Sequence, residues 1–211
     1  AVNNARIADD TITNAKINSS AAIAGTKISP DFGSQNIDTT GNITCNRINT
    51  LNIGKGTNSL NYQTVLGGNA LDANNTGIGI NTAIGWKVLT DNTSGHSNVG
   101  VGAFSLTENT TGHDNTGIGR NALGTSVNGN DNTAVGAYAL QSSQTSNNTA
   151  VGHMAGGSLT TGANITAVGF EALRNTTTGG ENVAVGLQAL RSNTTGTNNV
   201  AVGIYALDAN E

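Results

Sequence analysis

Two histidines are the residues best placed to do metal chemistry. His96 and His113 are 17 residues apart, and each lies eleven residues after a glycine of a repeated motif. Imidazoles stacked about 5 Å apart, and tripled in a threefold assembly, could hold a metal ion. We interpret them instead as solvated turn histidines, because His153 lies elsewhere in the repeat and no Ser/His/Asp order recurs. We predict no metal site.

Two glycine-rich stretches match nucleotide-binding motifs only in part. Gly117-Ile-Gly119-Arg-Asn-Ala122 fits a dinucleotide-binding fingerprint, which also needs a strand, a helix and an acidic residue about 20 positions further on. Gly54-Lys55-Gly56-Thr57 lacks the spacing of a phosphate loop. The first is one copy of a repeat and the second is typical of a turn. We therefore predict no cofactor, no catalytic residues and no enzyme activity.

Most of the aromatic residues follow the repeated glycine by one or two positions. These residues are Trp86, Phe104, Tyr138, Phe170 and Tyr205. Partly exposed rings at such places could stack on sugars. The same columns also hold Asn121, Glu171 and Gln188, which indicates a variable edge rather than a shaped pocket. We predict that the rings pack at a corner of the fold.

A repeat of about 17 residues positions all these side chains. Its consensus is Asn-Thr-Ala-Val-Gly-x-x-Ala-Leu, followed by a polar Thr-Thr-Gly-x-Asn turn, and we number each copy from its glycine, position 0. Successive glycines are 17, 17, 17, 16, 17, 17 and 17 residues apart, at Gly85, Gly102, Gly119, Gly136, Gly152, Gly169, Gly186 and Gly203. A ninth, weaker copy ends at Gly67, and Gly79 competes with Gly85 for the next register.

Two further positions recur, each with one exception. Leucine occupies position +4 in every copy but one, which has Gly156. A second glycine occupies position +10, except near Ser146, where the single 16-residue interval falls.

Composition and repeat length predict an all-β solenoid. The chain contains 29 Gly, 32 Asn and 30 Thr, and all three are poor helix formers. One copy spans roughly 56 Å when extended, enough for two short strands and two turns. We predict a parallel β-roll (β-solenoid) of about nine 17-residue coils, about 40 Å long. Asn columns would hydrogen-bond from coil to coil, and Gly and Asn would supply the positive-φ corners.

The pattern also predicts a partner. In the strand, Thr or Val and then Val or Ile point one way, and the Ala or Gly between them points to a flat opposite face. The Ala and Leu at +3 and +4 would face opposite ways if both lie in a strand, which leaves one apolar column outside. Because an exposed apolar stripe is usually covered, we predict a homo-oligomer, most simply a parallel trimer.

Two other segments precede the repeat, which covers residues 63–211. Residues 1–30 place an isoleucine every five or six residues. This predicts a fibrous shaft segment, with a flexible linker as the alternative. Residues 31–62 are typical of a short-strand connector. The lone Cys45 cannot form an intrachain disulfide.

Charge and hydropathy exclude two classes of partner. The net charge is −4, and no basic patch favours nucleic-acid binding. No stretch is apolar enough to span a membrane, so we expect no membrane insertion.

The repeats, such as Asn132-Thr-Ala-Val-Gly136-Ala-Tyr-Ala-Leu140, resemble the head repeats of trimeric autotransporter adhesins of the YadA type. The same repeat type occurs in bacteriophage tail fibres and other virion structural proteins. The resemblance implies a left-handed parallel β-roll that forms trimers. Ile12-Thr-Asn-Ala-Lys-Ile17 and Thr39-Thr-Gly-Asn-Ile-Thr44 look more like phage-fibre sequence than adhesin sequence.

We therefore expect a structural component of an extracellular trimeric fibre, a phage tail fibre in the virion. It would serve as a rigid spacer or host-attachment element. It would bind other virion proteins through its N-terminal side, and a host glycan or protein could be its ligand. Two alternatives stay open. One is the head of a bacterial surface adhesin, and the other is an ice-binding solenoid, whose Thr column is interrupted by Val99, Val183 and Val200.

Overall fold

The computed structural model describes residues 63–71 and 79–208. The interpretations of residues 1–30 and 31–62, including Cys45 and the Gly54–Thr57 turn, lie outside these residues. The described part contains nine strands of three residues each: β1 (Thr64–Leu66), β2 (Thr82–Ile84), β3 (Val99–Val101), β4 (Thr116–Ile118), β5 (Thr133–Val135), β6 (Thr149–Val151), β7 (Thr166–Val168), β8 (Val183–Val185) and β9 (Val200–Val202).

The nine strands form one parallel sheet in sequence order. Equivalent repeat positions pair throughout, so that Thr116 is opposite Thr133 and Ile118 is opposite Val135. The strand that precedes Gly85, and not the competing motif that ends at Gly79, pairs with β1. Consecutive coils therefore stack by one repeat, and the predicted β-solenoid is confirmed; its handedness and trimeric state stay predictions.

Each described coil contains one strand, so the expectation of two short strands per coil is wrong. The backbone leaves the extended region soon after the glycine, because the residues at +2 and +4 have positive φ. The residues at +12 have positive φ as well and form a later corner. Leucine at +4 has φ of 47° to 52°, as at Leu123 and Leu140. The prediction that Gly and Asn supply the corners is confirmed in part, because the glycine at position 0 has positive φ in every described coil. It is wrong at +4 and at several +2 positions, where bulky residues such as Tyr138, with φ 62°, adopt the left-handed conformation.

The core is made by the middle residue of the strand and by positions +3 and +4. Ala134, Ala139 and Leu140 have no exposed surface. The strand's Ala/Gly face therefore points inward. The argument that Ala and Leu face opposite ways fails, because they lie in a turn whose left-handed leucine brings both side chains into the core.

A buried column of asparagines at position −4 joins the coils. The Asn115 side-chain amide donates to the Gly129 carbonyl at 2.7 Å, and its oxygen accepts the Asn132 backbone N–H at 3.1 Å. Asn81 and Asn98 make the same two bonds. Each amide thus spans its own coil and bonds to the next, which confirms the predicted coil-to-coil hydrogen bonding.

One coil fills the interior differently. Gly156 replaces the leucine at +4, Leu159 replaces the polar residue at +7, and Ile165 replaces the asparagine at −4. A methyl group added to Gly156 would lie 3.0 Å from Leu140 Cδ2 and 3.2 Å from Ile165 Cδ1. Ile165 therefore occupies the space that leucine fills elsewhere. The asparagine column is interrupted there for one coil, after the Ile165 N–H bonds to Asn148 Oδ1 at 3.1 Å, and it resumes at Asn182.

The 16-residue coil keeps the hydrogen bonds of its neighbours. Thr145 takes the place of the glycine at +10, and its carbonyl accepts the Asn132 side-chain N–H at 2.8 Å. The Thr145 hydroxyl donates in turn to the Gly162 carbonyl of the next coil. The missing residue is thus absorbed in the Thr-Thr turn.

Candidate interaction surfaces

The outer face of the sheet is an uncharged strip of eighteen side chains. Position −3 holds only Thr or Val, and position −1 holds only Val, Ile or Leu. Both positions are partly or fully exposed in every strand, as at Ile118, which is 39% exposed. At about 4.8 Å per strand the strip is about 40 Å long. We call it the strand face. The sequence predicts an exposed apolar stripe at the Ala or Leu column, +3 or +4, but the exposed apolar stripe lies here instead.

An edge of aromatic and basic side chains follows the strand face at positions +1 and +2. From Trp86 to His153, large residues at +1 alternate with rings at +2, and alanine at +1 precedes the rings Phe104 and Tyr138. Trp86 from one coil contacts Phe104 from the next, with centroids 4.8 Å apart in an edge-on arrangement. Lys87 Nζ lies 5.2 Å from the Trp86 ring. These rings pack at the corner, yet Trp86 remains 50% exposed.

A longer row continues along the same edge. The Arg120 guanidinium lies 5.4 Å from the Tyr138 ring. Tyr138 meets His153 at 6.1 Å, and His153 stacks on Phe170 at 5.3 Å with planes 12° apart. We call these four residues the corner row. Sequence analysis noted its Tyr and Phe but missed Arg120 and His153, although both follow the repeated glycine directly.

A buried carboxylate adjoins the row. Glu171 is 8% exposed. Its carboxylate accepts a hydrogen bond from Arg174 at 2.9 Å and from Gln188 at 2.8 Å, and it lies 3.2 Å from Arg191 Nε. Two guanidinium groups therefore cover one carboxylate, and both arginine side chains remain 35% exposed.

The two turn histidines stack as their spacing predicts. His96 and His113 have ring centroids 4.9 Å apart and planes 4° apart. Their near polar partners are Ser97 at 3.3 Å and Asp114 at 2.8 Å. Among the described residues no group of three or more His, Cys, Asp or Glu side chains is arranged to hold a metal ion.

The remaining sequence motifs lie in ordinary parts of the repeat. Gly117 is the middle residue of β4, and Gly119 begins the turn after it. Residues 63–71 and 79–208 contain no helix, so the dinucleotide fingerprint lacks the helix it requires. For the same residues there is no helical segment that could cross a bilayer.

One depression opens on the polar side of the coils. Its cavity volume is about 290 Å³, and Thr161, Asn164 and Glu181 are among its lining residues. Threonine, asparagine and glycine make up most of the wall, and no nucleophile–base pair lies there.

The chain matches no protein-family model, and it matches no curated protein and no solved structure.

Proposed function

We propose that this chain is a structural segment of an extracellular trimeric fibre, of the kind found in phage tail fibres, in which the solenoid is a rigid spacer. The strand face is the observation that carries the proposal. Its nine aliphatic side chains at position −1 form one continuous stripe, and no charged residue interrupts either outward column.

Rigidity follows from the in-register sheet and the buried amide column. Each coil is tied to the next by backbone bonds such as Thr116 N–H to Asn132 O at 2.8 Å, and by the asparagine side chains. A stack of this kind resists bending because each repeat contacts only its neighbours, and any bend stretches the bonds between them. Such an element suits a mechanical role better than a catalytic one.

The exposed strand face supports the proposed trimer. A soluble monomer normally exposes only scattered apolar residues. The strand face instead exposes a continuous aliphatic stripe about 40 Å long. Three copies whose strand faces meet around one axis would bury all three stripes, while the charged positions +5, +6 and +12 would remain in water. Association would therefore be parallel and in register.

The oligomeric state tests this arrangement. Sedimentation equilibrium of the full chain at about 10 μM should give a trimer, since large apolar interfaces are stable at such concentrations. Val135→Asp puts a charge in the middle of the strand face and should dissociate the trimer. Ser142→Asp adds the same charge outside the face and should leave it intact. A folded wild-type monomer, or a trimer that tolerates Val135→Asp, contradicts the proposal.

Electron microscopy tests whether the chain is part of a phage tail fibre. Gold-labelled antibody against this chain should decorate thin tail fibres of purified virions. Label on a bacterial envelope would favour the surface-adhesin alternative, in which the solenoid itself binds host ligands.

Ice binding is a second candidate, favoured by one observation. Six of the nine outward residues at −3 are threonine, in a parallel in-register sheet, and aliphatic residues fill −1. The chain should then show thermal hysteresis, and Thr133→Lys should abolish it. Absence of hysteresis in the wild type dismisses this candidate.

A further inference from the structure

The corner row crosses four consecutive coils without a break. Arg120, Tyr138, His153 and Phe170 each contact the next, at 5.4, 6.1 and 5.3 Å. Arg120, His153 and Phe170 are exposed, and Phe170 presents 46% of its surface to solvent. Aromatic faces in a line on an open edge suit a linear polymer better than a compact ligand, which prefers a concave pocket.

The charge of this edge is positive. All four Lys and Arg residues of the described segments lie at +1, +2 or +5, whereas five of the seven acidic residues lie at +6 or +12. Along the corner row the +6 positions carry no charge: they are Thr125, Ser142, Ser158, Asn175 and Ser192. Of its two acidic neighbours, Glu171 is buried under Arg174 and Arg191, and Asp208 lies at +5 in the coil after Arg191.

The spacing of the row fits a chain of sugars. Coils follow one another at about 4.8 Å, which is close to the rise of one ring in an extended polysaccharide. Apolar faces of sugar rings stack on aromatic side chains, and guanidinium groups bind carboxylates in fixed geometry. Here one guanidinium group and three rings follow one another on that scale, from Arg120 to Phe170.

We infer that the corner row, flanked by Arg174 and Arg191, binds an extended acidic polysaccharide whose carboxylates meet the guanidinium groups. The inference deepens the proposed function by giving the fibre a ligand, and it rests on that function for its biological setting. Nucleic acid fits less well, because neutralised phosphates supply most of the affinity of such complexes and the three arginines are spread over five coils.

Affinity electrophoresis of the full chain tests the inference with three linear polyuronates, namely polygalacturonate, alginate and hyaluronate. At least one should retard the protein, and methyl esterification of that polymer should weaken binding by about tenfold, because it removes the charge and keeps the backbone. No retardation by any of the three, or equal retardation by acid and ester, overturns the inference. Tighter binding to single-stranded DNA of equal charge also overturns it.

Variants locate the site. Phe170→Ala and Arg120→Gln should each weaken binding by about fivefold to tenfold. Two matched controls should bind as the wild type does: Phe104→Leu removes a ring outside the row, and Ser94→Asp makes the same charge change at an exposed position in a coil that the row does not cross. Equal losses in the controls and the row variants contradict the assignment.

Sedimentation of the same samples separates this inference from the proposed function. A trimer that binds no polyuronate retains the spacer function and refutes the ligand. A monomer that binds through Phe170 and Arg120 supports the ligand and refutes the trimeric fibre.

Discussion

The coils around Asn115 and the coil around Ile165 solve one packing problem with different chemistry. In the first, an amide fills the interior and bonds to its own coil and the next. In the second, Ile165 and Leu159 are buried and Gly156 makes room for Ile165. The comparison teaches that the backbone stack is the constant element. The interior can be polar or apolar, provided that the residues which change do so together.

A backbone requirement shared by both regions gives the largest expected effect. Gly119 has φ of 132° and Gly152 has φ of 137°, and an added methyl group would lie 2.6 Å from the carbonyl carbon of the next coil in both. Gly119→Ala and Gly152→Ala should each cost about 4 kcal/mol in the free energy of unfolding, measured by urea denaturation. Gly203→Ala is the control, because its nearest neighbour would be Ala206 Cβ at 3.9 Å. Equal loss at all three positions would contradict the close approach.

Asn115→Leu should break the polar region. It removes the partners of the Gly129 carbonyl and the Asn132 N–H, which are buried, and should cost about 3 kcal/mol. Amide hydrogen exchange would locate the damage: protection should fall at Asn132. Unchanged protection at Asn132 would show that the amide column does not contribute to the free energy of unfolding.

Gly156→Leu should sharpen the comparison by overpacking the apolar coil, at a cost of about 2 kcal/mol. Strain in φ is not the cause, because leucine at the equivalent place, as in Leu140, has φ of 47° and Gly156 has φ of 58°. Adding Ile165→Asn should restore part of the loss, since it frees the space and rebuilds the amide. A double-mutant cycle measures this coupling, and strict additivity of the two losses would refute it.

Thr133→Val should have the smallest effect, within about 0.5 kcal/mol. Position −3 already holds Val99, Val183 and Val200, and it faces outward in both regions. Thermal denaturation checks this, and a loss above about 1 kcal/mol would show that the hydroxyl has a structural partner.

The repeat period made the stack predictable, because residues 17 apart must share a column. It did not reveal which columns point inward. The inward direction depends on φ at Leu123 and its equivalents. The backbone is left-handed there, and this conformation buries the leucine side chain. Leucine is not a residue from which such a conformation is expected, and this is why the exposed stripe was assigned to the wrong columns.

The candidate site was predictable in part for a similar reason. The spacing placed His96 on His113 and the rings at a corner, and the structure confirms both. The basic character of the edge emerges only when Arg120 and Arg174 are placed in their columns. The apolar coil had a signal as well, because Gly156, Leu159 and Ile165 all depart from the consensus within ten residues.

Distances along one column test the stack most directly. One spin label is attached at Asp91→Cys, and the second is attached in turn at Ser142→Cys, Ser158→Cys, Asn175→Cys or Ser192→Cys. All five positions are +6 positions of the repeat. Cys45→Ser removes the native cysteine, and unlabelled chain is added in excess. Pulsed electron paramagnetic resonance should give distances that rise linearly, by about 4.8 Å for each repeat, to about 29 Å. Distances that level off, or that do not follow repeat number, would contradict the solenoid.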